Sequence, residues 1–398
     1  MPVSRVIFVN RVYWPSTEAT AQLLTDLSEG LAARGWPVHV IATGETAGAR
    51  HGVTIHRTGA GETHGGMLSR AWNFHRFQSA ARRQLQTMAQ PGDVLVAMTD
   101  PPMLGAHLAP AAAALGLPLV LWVQDIYPEI AAVHFGPAAA LALSALRHRR
   151  DRTWRQARAC VTLGPDMASA IARRVVDPAR IPLIPNWAPR ELHEPARPAD
   201  SAERRRAWGV DGKFVVAYSG NLGRVHEFET VLDAAERLCS RTDIVFLLIG
   251  RGPRLEAVAA AARRRRLANV RLLPPEPRER LGAALAAADA HLVTLRPEYA
   301  SLVYPSKLAG VLAAGRPALF VGPPAGDIAR LLETNSCGAT FRPGDAALLA
   351  DTIARWQADP ELLRRLGAAA RATYLQAFTF EAALARWDEC LRRVSTPA

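Results

Sequence analysis

Short apolar runs alternate with longer amphipathic stretches along the first half of the chain. The apolar runs have the length of buried strands and lie at Val6–Val9, Val38–Ala42, Val53–His56, Val94–Met98, Leu119–Val123, Cys160–Leu163 and Ile181–Ile184. Helical spacing is found between most of them, at residues 19–34, 67–88, 103–115, 138–157 and 165–174. This alternation predicts a parallel sheet with right-handed helical crossovers.

The same alternation resumes in the second half, after a proline-rich polar stretch that suits a linker at residues 189–202. Strands are predicted at Phe214–Tyr218, Ile244–Ile249, Val270–Leu273, Ala290–Leu295, Ala318–Val321 and Ala339–Phe341. Helices are predicted at residues 227–238, 253–266, 278–288, 305–314, 328–333, 346–358, 360–377 and 380–393. The pattern predicts two tandem Rossmann-like, doubly wound α/β domains, at residues 1–188 and 203–378. Ligands of such sheets bind beyond the carboxyl ends of the strands, so we expect the site in a cleft between the domains.

Composition agrees with two globular domains and adds a strong positive charge. The 398 residues are 49% hydrophobic, which is enough for two sizeable cores. The formal net charge is +12, and arginines are clustered at residues 147–150 and 263–266. Such a balance is compatible with nucleic acid, anionic lipid or phosphorylated ligands as partners. The alternative for part of it is simply an Arg- and Ala-rich composition. No nucleic-acid partner is expected, because no recognisable motif interleaves aromatic and basic residues.

The remaining compositional signals indicate a cytoplasmic protein. Its four cysteines are widely separated and show no metal-ligand spacing, as expected for free thiols in a reducing compartment. The chain begins with a strand-like run rather than a signal peptide. Residues 101–123 lack Asp, Glu, Lys and Arg but contain Pro110 and Pro118, so we interpret them as helix, turn and strand rather than a membrane span.

The stretch from Val303 to Pro317 predicts a short helix with an anion at its start. Pro305 suits a first helical position, which places Ser306 and Lys307 in the first turn. Unpaired N–H groups and the helix dipole favour an anion there, and a lysine at that end needs a compensating negative charge. A phosphate would supply this charge; the alternative is an ordinary helix that happens to begin with these residues.

Loops after the first strand of each predicted domain offer further backbone donors. Ser16, Thr17 and Glu18 follow the first strand and precede a helix, where they either bind a phosphate or acceptor group or, for Ser16 or Thr17, only cap the helix. In the second domain, Gly220 and Gly223 lie between a strand and a helix and would let the backbone approach a ligand closely.

Two more loops carry charged candidates. Arg251, between Gly250 and Gly252, has a planar fork that can neutralise a phosphate. Asp125 follows an apolar strand at the position expected of a catalytic carboxylate, although it could instead cap the next helix. Glu129 lies in the same loop and is predicted, like Ser16, Thr17 and Glu18, to contribute to the acceptor or phosphate loop.

Taken together, these segments resemble the GT-B fold, family 4 retaining glycosyltransferases, and within them the bacterial cell-surface polysaccharide branch of O-antigen, capsule and colanic-acid-type enzymes. The segments that carry the resemblance occur in family order and lie at residues 13–20, 123–129, 184–187, 218–224, 249–253, 305–307 and 314–317. The resemblance implies a nucleotide-sugar donor held by the second domain and an acceptor held by the first. It also implies that the C-terminal helix, at about residues 379–398, crosses back to the first domain.

The chain departs from the family pattern at several charged positions. The family's Glu-x7-Glu signature falls on Leu302 and Gly310, so Glu298 is a candidate substitute. The usual Arg and Lys pair falls on Asn221 and His226. Pyrophosphate charge must then be neutralised elsewhere, and Lys307 is the first candidate. Arg224 and Arg251 are the next candidates for this neutralisation. In the first domain, the family's usual histidine is replaced by Gln124.

The resemblance implies a glycosyltransferase that moves a sugar from a UDP- or GDP-linked donor to a hydroxyl of a lipid-linked glycan. We predict Asp125, Lys307 and Arg224 as catalytic residues. The predicted donor-binding residues are Gly220, Asn221, Gly223, Arg251, Glu298, Ser301, Leu302, Pro305 and Ser306. No cofactor or metal is expected, and an anionic membrane surface at the inner face of the plasma membrane is a candidate partner. The alternatives are a nucleotide-sugar epimerase of the same architecture and a non-catalytic nucleotide-sugar-binding protein.

Overall fold

The computed structural model describes residues 4–59, 66–174 and 177–396, without the side chains of residues 67 and 68. The chain divides into two compact units. Unit 1 comprises Met1–Pro185, Leu302–Tyr304 and Ala383–Ala398, and unit 2 comprises Asn186–Ser301 and Pro305–Ala382.

Unit 1 contains a seven-stranded sheet of order β3-β4-β2-β1-β5-β6-β7. Its strands are β1 (Val6–Val9), β2 (Val38–Ala42), β3 (Gly48–Arg50), β4 (Val53–Arg57), β5 (Val94–Ala97), β6 (Leu119–Trp122) and β7 (Ala159–Val161). All neighbours pair in parallel except β3, a short edge strand that pairs antiparallel with β4 and was missing from the sequence prediction. The central strands β1, β5 and β6 are buried along their whole length, as expected for a sheet covered on both faces.

The helices of unit 1 largely follow the predicted pattern. They are α1 (Ala19–Ala33), α2 (Met67–Met88), α3 (Leu104–Ala114), α4 (Glu129–Phe135), α5 (Pro137–Ala142), α6 (Ser144–Gln156) and α7 (Pro165–Ala172). The single helix predicted at residues 138–157 was wrong, because α5 and α6 are separate helices that meet at Leu143. The strand predicted at Ile181–Ile184 was also wrong: only Leu183 forms an isolated bridge, with Thr162. Pro182 lacks the N–H that a longer ladder requires.

Unit 2 contains a six-stranded, all-parallel sheet of order β10-β9-β8-β11-β12-β13. Its strands are β8 (Phe214–Asn221), β9 (Ile244–Arg251), β10 (Val270–Leu273), β11 (Ala290–Thr294), β12 (Ala318–Val321) and β13 (Gly338–Phe341). Its helices are α8 (Pro198–Ala207), α9 (Glu229–Arg237), α10 (Leu255–Arg264), α11 (Leu281–Ala286), α12 (Lys307–Ala313), α13 (Asp327–Thr334), α14 (Ala346–Ala358) and α15 (Pro360–Ala377). Residues 198–202, which the linker prediction included, form the first part of α8.

The two glycine loops of unit 2 begin later than the sequence predicted, because β8 and β9 continue as a paired ladder through Asn221 and Arg251. Gly250 explains this close pairing. A Cβ atom there would lie 1.9 Å from the carbonyl oxygen of Gly220, so no larger side chain fits. Gly220 and Gly250 thus belong to the strands, where their first role is to let two backbones approach.

The last helix, α16 (Phe380–Ser395), carries Trp387 into the core of unit 1. The Trp387 ring packs edge-on against Trp122 and Phe8, with centroid separations of 4.9 and 6.5 Å. Asp388, the next residue, accepts a hydrogen bond from the indole of Trp36. The predicted fold class is therefore confirmed, including the return of the C-terminal helix to the first domain. Among the described residues, no helix has the length and apolar character needed to cross a membrane.

Candidate active site

Lys307 is the first residue of α12, two positions later than the predicted helix start. Pro305 precedes the helix, and its carbonyl oxygen accepts a hydrogen bond from the N–H of Leu308. Ser306 lies in the N-cap position but forms no side-chain cap. Since α12 has only seven residues, its dipole is a minor source of positive charge. The candidate anion site therefore depends on the Lys307 ammonium group itself.

His226 holds that ammonium group in place. Lys307 Nζ lies 3.1 Å from His226 Nε2, and His226 Nδ1 lies 2.6 Å from the carbonyl oxygen of Thr294. A carbonyl oxygen can only accept, so Nδ1 carries the proton and Nε2 accepts a hydrogen bond from the ammonium. The ring of Tyr218, whose centroid is 4.9 Å from Nζ, adds a cation–π contact.

Burial lowers the pKa of both Lys307 and His226. It lowers the pKa of Lys307 to about 7, because the charged form loses solvation. Burial, together with the neighbouring Lys307 charge, lowers the pKa of His226 to about 3. His226 is therefore a neutral hydrogen-bond acceptor at pH 7. An anion that binds beside Lys307 stabilises the charged ammonium form of its side chain.

More positive charge surrounds the same loop. Arg254 and Arg296 both donate hydrogen bonds to the backbone carbonyl of His226, at 3.0 and 3.3 Å. Glu227 points inward, and its Oε1 accepts the N–H of Thr230 near the start of α9. Its other oxygen is buried and has no hydrogen-bond partner within the described ranges. Glu227 was not predicted as a site residue from the sequence, and His226 was identifiable there only as a departure from the family pattern.

The structure brings one predicted donor-site residue into direct proximity with Lys307. A Cβ atom on Gly220 would lie 3.3 Å from Lys307 Cε, so glycine leaves room for the lysine stem. The other predicted residues of unit 2 lie at the ends of β8 and β9, in the loop after β8, or between β11 and α12. Asn221, Arg224, Arg251, Glu298 and Ser306 are exposed, Ser301 is half-buried, and Gly223 and Pro305 are buried. Leu302 is buried and belongs to unit 1.

Asp125 is the central candidate in unit 1, just beyond the carboxyl end of β6. Its backbone forms an antiparallel bridge with Val303, and the neighbouring N–H of Ile126 donates to the Leu302 carbonyl. The Asp125 carboxyl lines a cavity of about 40 Å³, which is large enough for ordered water. Burial, together with the negative charge of Asp100, raises the pKa of Asp125 to about 6. A carboxylate with such a pKa is matched to proton transfer near neutral pH.

The loop after β1 positions Arg11 between two carboxylates. Arg11 Nε lies 2.9 Å from Asp100, and its Nη2 lies 3.2 Å from Glu18. Glu18 is the N-cap of α1, so the alternative that Ser16 or Thr17 caps this helix was wrong. The Ser16 hydroxyl accepts the N–H of Glu18 at 3.3 Å, and the Thr17 carbonyl accepts from Gln22. The acceptor or phosphate role predicted for Ser16, Thr17 and Glu18 stays a prediction.

Glu129 is part of a buried ion-pair network. Its carboxylate accepts hydrogen bonds from both terminal nitrogens of Arg150, at 2.7 and 2.6 Å, and from Arg174 at 3.1 Å. Arg150 also donates to Asp151 at 2.8 Å and stacks on Trp154 at 3.8 Å. These partners occupy the Glu129 carboxylate, so its geometry fits a structural role in the network better than direct substrate binding.

Replacing Arg150 with alanine is expected to destabilise the fold by about 3–5 kcal/mol, because two partly buried carboxylates lose their main partner. The side chain of Arg150 is only 6% exposed, so water cannot replace it without rearrangement. Urea unfolding measures this loss, with Arg152→Ala, an exposed position on the same helix, as the matched control. Equal stability of the two variants would contradict the structural role of the network.

No group of three or more His, Cys, Asp or Glu side chains in the described part of the chain is arranged to hold a metal ion. The charged groups that the site does offer are therefore the lysine, the arginines and the carboxylates named above.

Both halves of the chain match models of known protein families. Residues 19–187 match the family model described as "Glycosyl transferase 4-like domain", and residues 200–373 match "Glycosyl transferases group 1". A protein of Pseudomonas aeruginosa named "Probable glycosyltransferase WbjE" is 29% identical over 315 residues, which cover 78% of this chain and 76% of the relative. WcaI of Escherichia coli K12, named as a colanic acid biosynthesis glycosyl transferase, is 29% identical over 44% of this chain and 42% of its own length.

A solved structure shares the fold over nearly the whole chain. The crystal structure of Anabaena Alr3699/HepE in complex with UDP and glucose aligns with a TM-score of 0.76, covering 98% of this chain and 99% of that one at 17% identity. These matches give no support to the epimerase alternative. The two family models together match most of the chain, and it belongs to the GT-B glycosyltransferases of the family 4 type, as the sequence predicted.

Proposed function

We propose that the protein transfers a sugar from a UDP- or GDP-linked donor to a hydroxyl of a lipid-linked glycan in cell-surface polysaccharide biosynthesis. The name of WcaI and the UDP complex of HepE support the pathway and the donor class. The observation that carries the proposal is the Lys307 ammonium group in unit 2, held by His226, whose ring donates to the Thr294 carbonyl. A fixed cation of this kind is what a departing nucleoside diphosphate requires.

At the donor, the bond between the sugar and the diphosphate breaks, and negative charge develops on the leaving phosphate. Lys307 stabilises that charge without reorganising, because His226 already holds its Nζ. Arg224 and Arg251, both exposed near the carboxyl ends of β8 and β9, supply further positive charge. We propose that these side chains neutralise the charge of the leaving phosphate, so that the reaction needs no metal and no cofactor.

At the acceptor, the attacking hydroxyl must lose a proton as the new glycosidic bond forms. Asp125 accepts this proton, and its raised pKa makes it a stronger base than an ordinary carboxylate. We propose that the sugar keeps its anomeric configuration, as the family resemblance implies. Product analysis by NMR tests the configuration, and assays with excess EDTA test metal independence. An inverted product, or activity restored only by added divalent ions, would contradict these points.

A panel of UDP-, GDP- and dTDP-sugars tests the proposed activity and its alternatives. We expect slow hydrolysis of one donor in the absence of acceptor, because water can replace the acceptor hydroxyl. An altered sugar still attached to the nucleotide would instead indicate an epimerase. Binding without any turnover would indicate a non-catalytic nucleotide-sugar-binding protein.

The dependence of kcat/KM on pH is expected to be bell-shaped, because the two candidate groups must hold opposite protonation states. Asp125 acts as a base, so activity rises as pH increases through its pKa of about 6. Lys307 must be protonated, so activity falls as pH increases through its pKa of about 7. In an Asp125→Asn variant the acid limb should disappear while the alkaline limb remains. A profile flat from pH 5 to pH 9 would contradict both assignments.

We also propose that the protein works in the cytoplasm, docked on the inner face of the plasma membrane. The basic cluster from Arg147 to Arg158, most of it on α6, is the candidate surface. Arg149, Arg152 and Arg155 are exposed, whereas Arg150 is buried in its ion-pair network and cannot contribute. Near them Leu141 is 78% exposed and adds apolar area. Each basic residue near anionic lipid contributes about 1 kcal/mol. Co-sedimentation with vesicles should increase with phosphatidylglycerol content, and insensitivity to it would contradict docking.

A further inference from the structure

A second polar pocket in unit 1 has no role in the reaction described above. It encloses about 280 Å³ and lies where β4 ends, between Thr58 and one face of α2. His75, Arg76, Ser79 and Arg83 line it from the helix. The carboxyl end of a strand in a parallel sheet is the edge at which such folds bind ligands.

The described lining of the pocket includes two arginines and a histidine but no carboxylate. Arg76 and Arg83 are seven residues apart on α2, which places both guanidinium groups on one face of the helix. The 22 residues of α2 include no Asp or Glu. Within the described ranges, neither arginine forms an ion pair. Two uncompensated guanidinium groups beside one pocket repel each other, so binding of an anion between them is favoured.

Thr58, which lines the pocket, has a hydroxyl group without a hydrogen-bond partner among the described residues. Its Oγ1 atom is buried. Buried polar atoms in native proteins are normally satisfied, so this hydroxyl is an exception beside the two arginines. The Ser79 hydroxyl lines the same space. Guanidinium forks together with hydroxyl donors match the oxygen atoms of a phosphate.

We propose that this pocket binds a phosphate or diphosphate ester. Its assignment to the reaction rests on the proposed function: the ester is the one that joins the acceptor glycan to its lipid, and the pocket holds the acceptor while its hydroxyl reacts. Trp72, which is 64% exposed with its ring centroid 6.3 Å from that of His75, offers apolar surface for the first part of the lipid. The pocket is thus a positioning site for the acceptor.

Arginine footprinting of the full chain tests the pocket directly. Phenylglyoxal modifies accessible guanidinium groups, and mass spectrometry reports the extent at each arginine. We expect inorganic pyrophosphate to protect Arg76 and Arg83 relative to sodium chloride at equal ionic strength. Arg82, which is exposed on the same helix but does not line the pocket, should be modified equally in both. Equal modification of all three arginines in both solutions would overturn the proposal.

The source of the ester is distinguished by three further probes. Farnesyl diphosphate should protect the two arginines at lower concentration than pyrophosphate, and farnesol, which lacks the phosphates, should not protect them. Vesicles of phosphatidylglycerol that protect Arg76 and Arg83 when farnesyl diphosphate does not would overturn the acceptor assignment in favour of a lipid headgroup.

A double variant separates this inference from the proposed function. Arg76→Gln/Arg83→Gln should bind farnesyl diphosphate on the order of a hundredfold more weakly, the loss expected for two charge-assisted contacts, while Arg82→Gln binds normally. Donor hydrolysis by the double variant should be unchanged. If the double variant binds farnesyl diphosphate as tightly as the wild type, the proposed binding site is wrong. If the wild-type protein hydrolyses no donor at all, that result counts against the proposed function alone.

Discussion

Replacing Lys307 with alanine is expected to lower sugar transfer on the order of a hundredfold, the typical loss for one strong electrostatic donor. The reason is specific to this chain. His226, itself oriented by the Thr294 carbonyl, fixes the ammonium group before the donor binds. The Arg and Lys pair of the family pattern is replaced by Asn221 and His226. Lys307 therefore supplies charge that relatives with the full pattern share among several groups.

The chain provides an unusually clean control for this prediction, because it contains only two lysines. The other one, Lys213, donates to the carbonyl of Thr242 on the surface of unit 2. Lys213→Ala should retain normal kcat. Wild-type turnover by Lys307→Ala, or an equal loss in both variants, would contradict the assignment. Thermal unfolding of each variant shows whether a loss reflects catalysis or folding.

Replacing Asp125 with asparagine is expected to lower transfer by about 10²–10⁴-fold, the usual contribution of a general base. Asparagine keeps the shape and the backbone bridge to Val303 but cannot accept the proton of the acceptor hydroxyl. Single-turnover rates with saturating donor and acceptor measure the effect. Donor affinity should be unchanged, since Asp125 lies in unit 1 and the proposed donor site lies in unit 2.

Two results would oppose this assignment. Normal transfer by a correctly folded Asp125→Asn variant would remove the catalytic role. A loss confined to donor binding would show that Asp125 acts in donor binding rather than in proton transfer. Asp211→Asn, an exposed carboxylate in unit 2, is the control and should leave both quantities unchanged.

Much of the fold was predictable because hydrophobic periodicity is a local signal. Both parallel sheets, the break after the first domain and helix α2 could be located from the alternation of apolar and polar positions. Lys307 was also identifiable, because an isolated lysine near a helix start conflicts with the helix dipole unless an anion is present.

The features that the sequence did not predict depend on contacts between distant residues. The His226–Thr294 hydrogen bond joins positions 68 residues apart, and the Lys307–His226 contact joins positions 81 residues apart. Neither leaves a local pattern. The raised pKa of Asp125 likewise depends on burial and on Asp100 from a different strand end.

Small errors in element boundaries also had non-local causes. The Gly220–Gly250 approach extends β8 and β9 by several residues, and only the pairing of the two strands reveals it. Glycine between a strand and a helix is typical of a ligand loop as well as of close strand pairing, so the sequence could not distinguish the two.

Direct titration of the two lysines tests the central claim that Lys307 meets the donor diphosphate. Labelling lysine Cε with carbon-13 gives two NMR signals, with Lys213 as the internal reference. We predict that Lys307 titrates at about 7 in the free protein, and that either UDP or GDP raises this pKa because a bound phosphate stabilises the ammonium form. The Lys213 signal should not respond to either nucleotide. A Lys307 signal whose pKa is unchanged by both nucleotides, under conditions where one of them binds, would contradict the account.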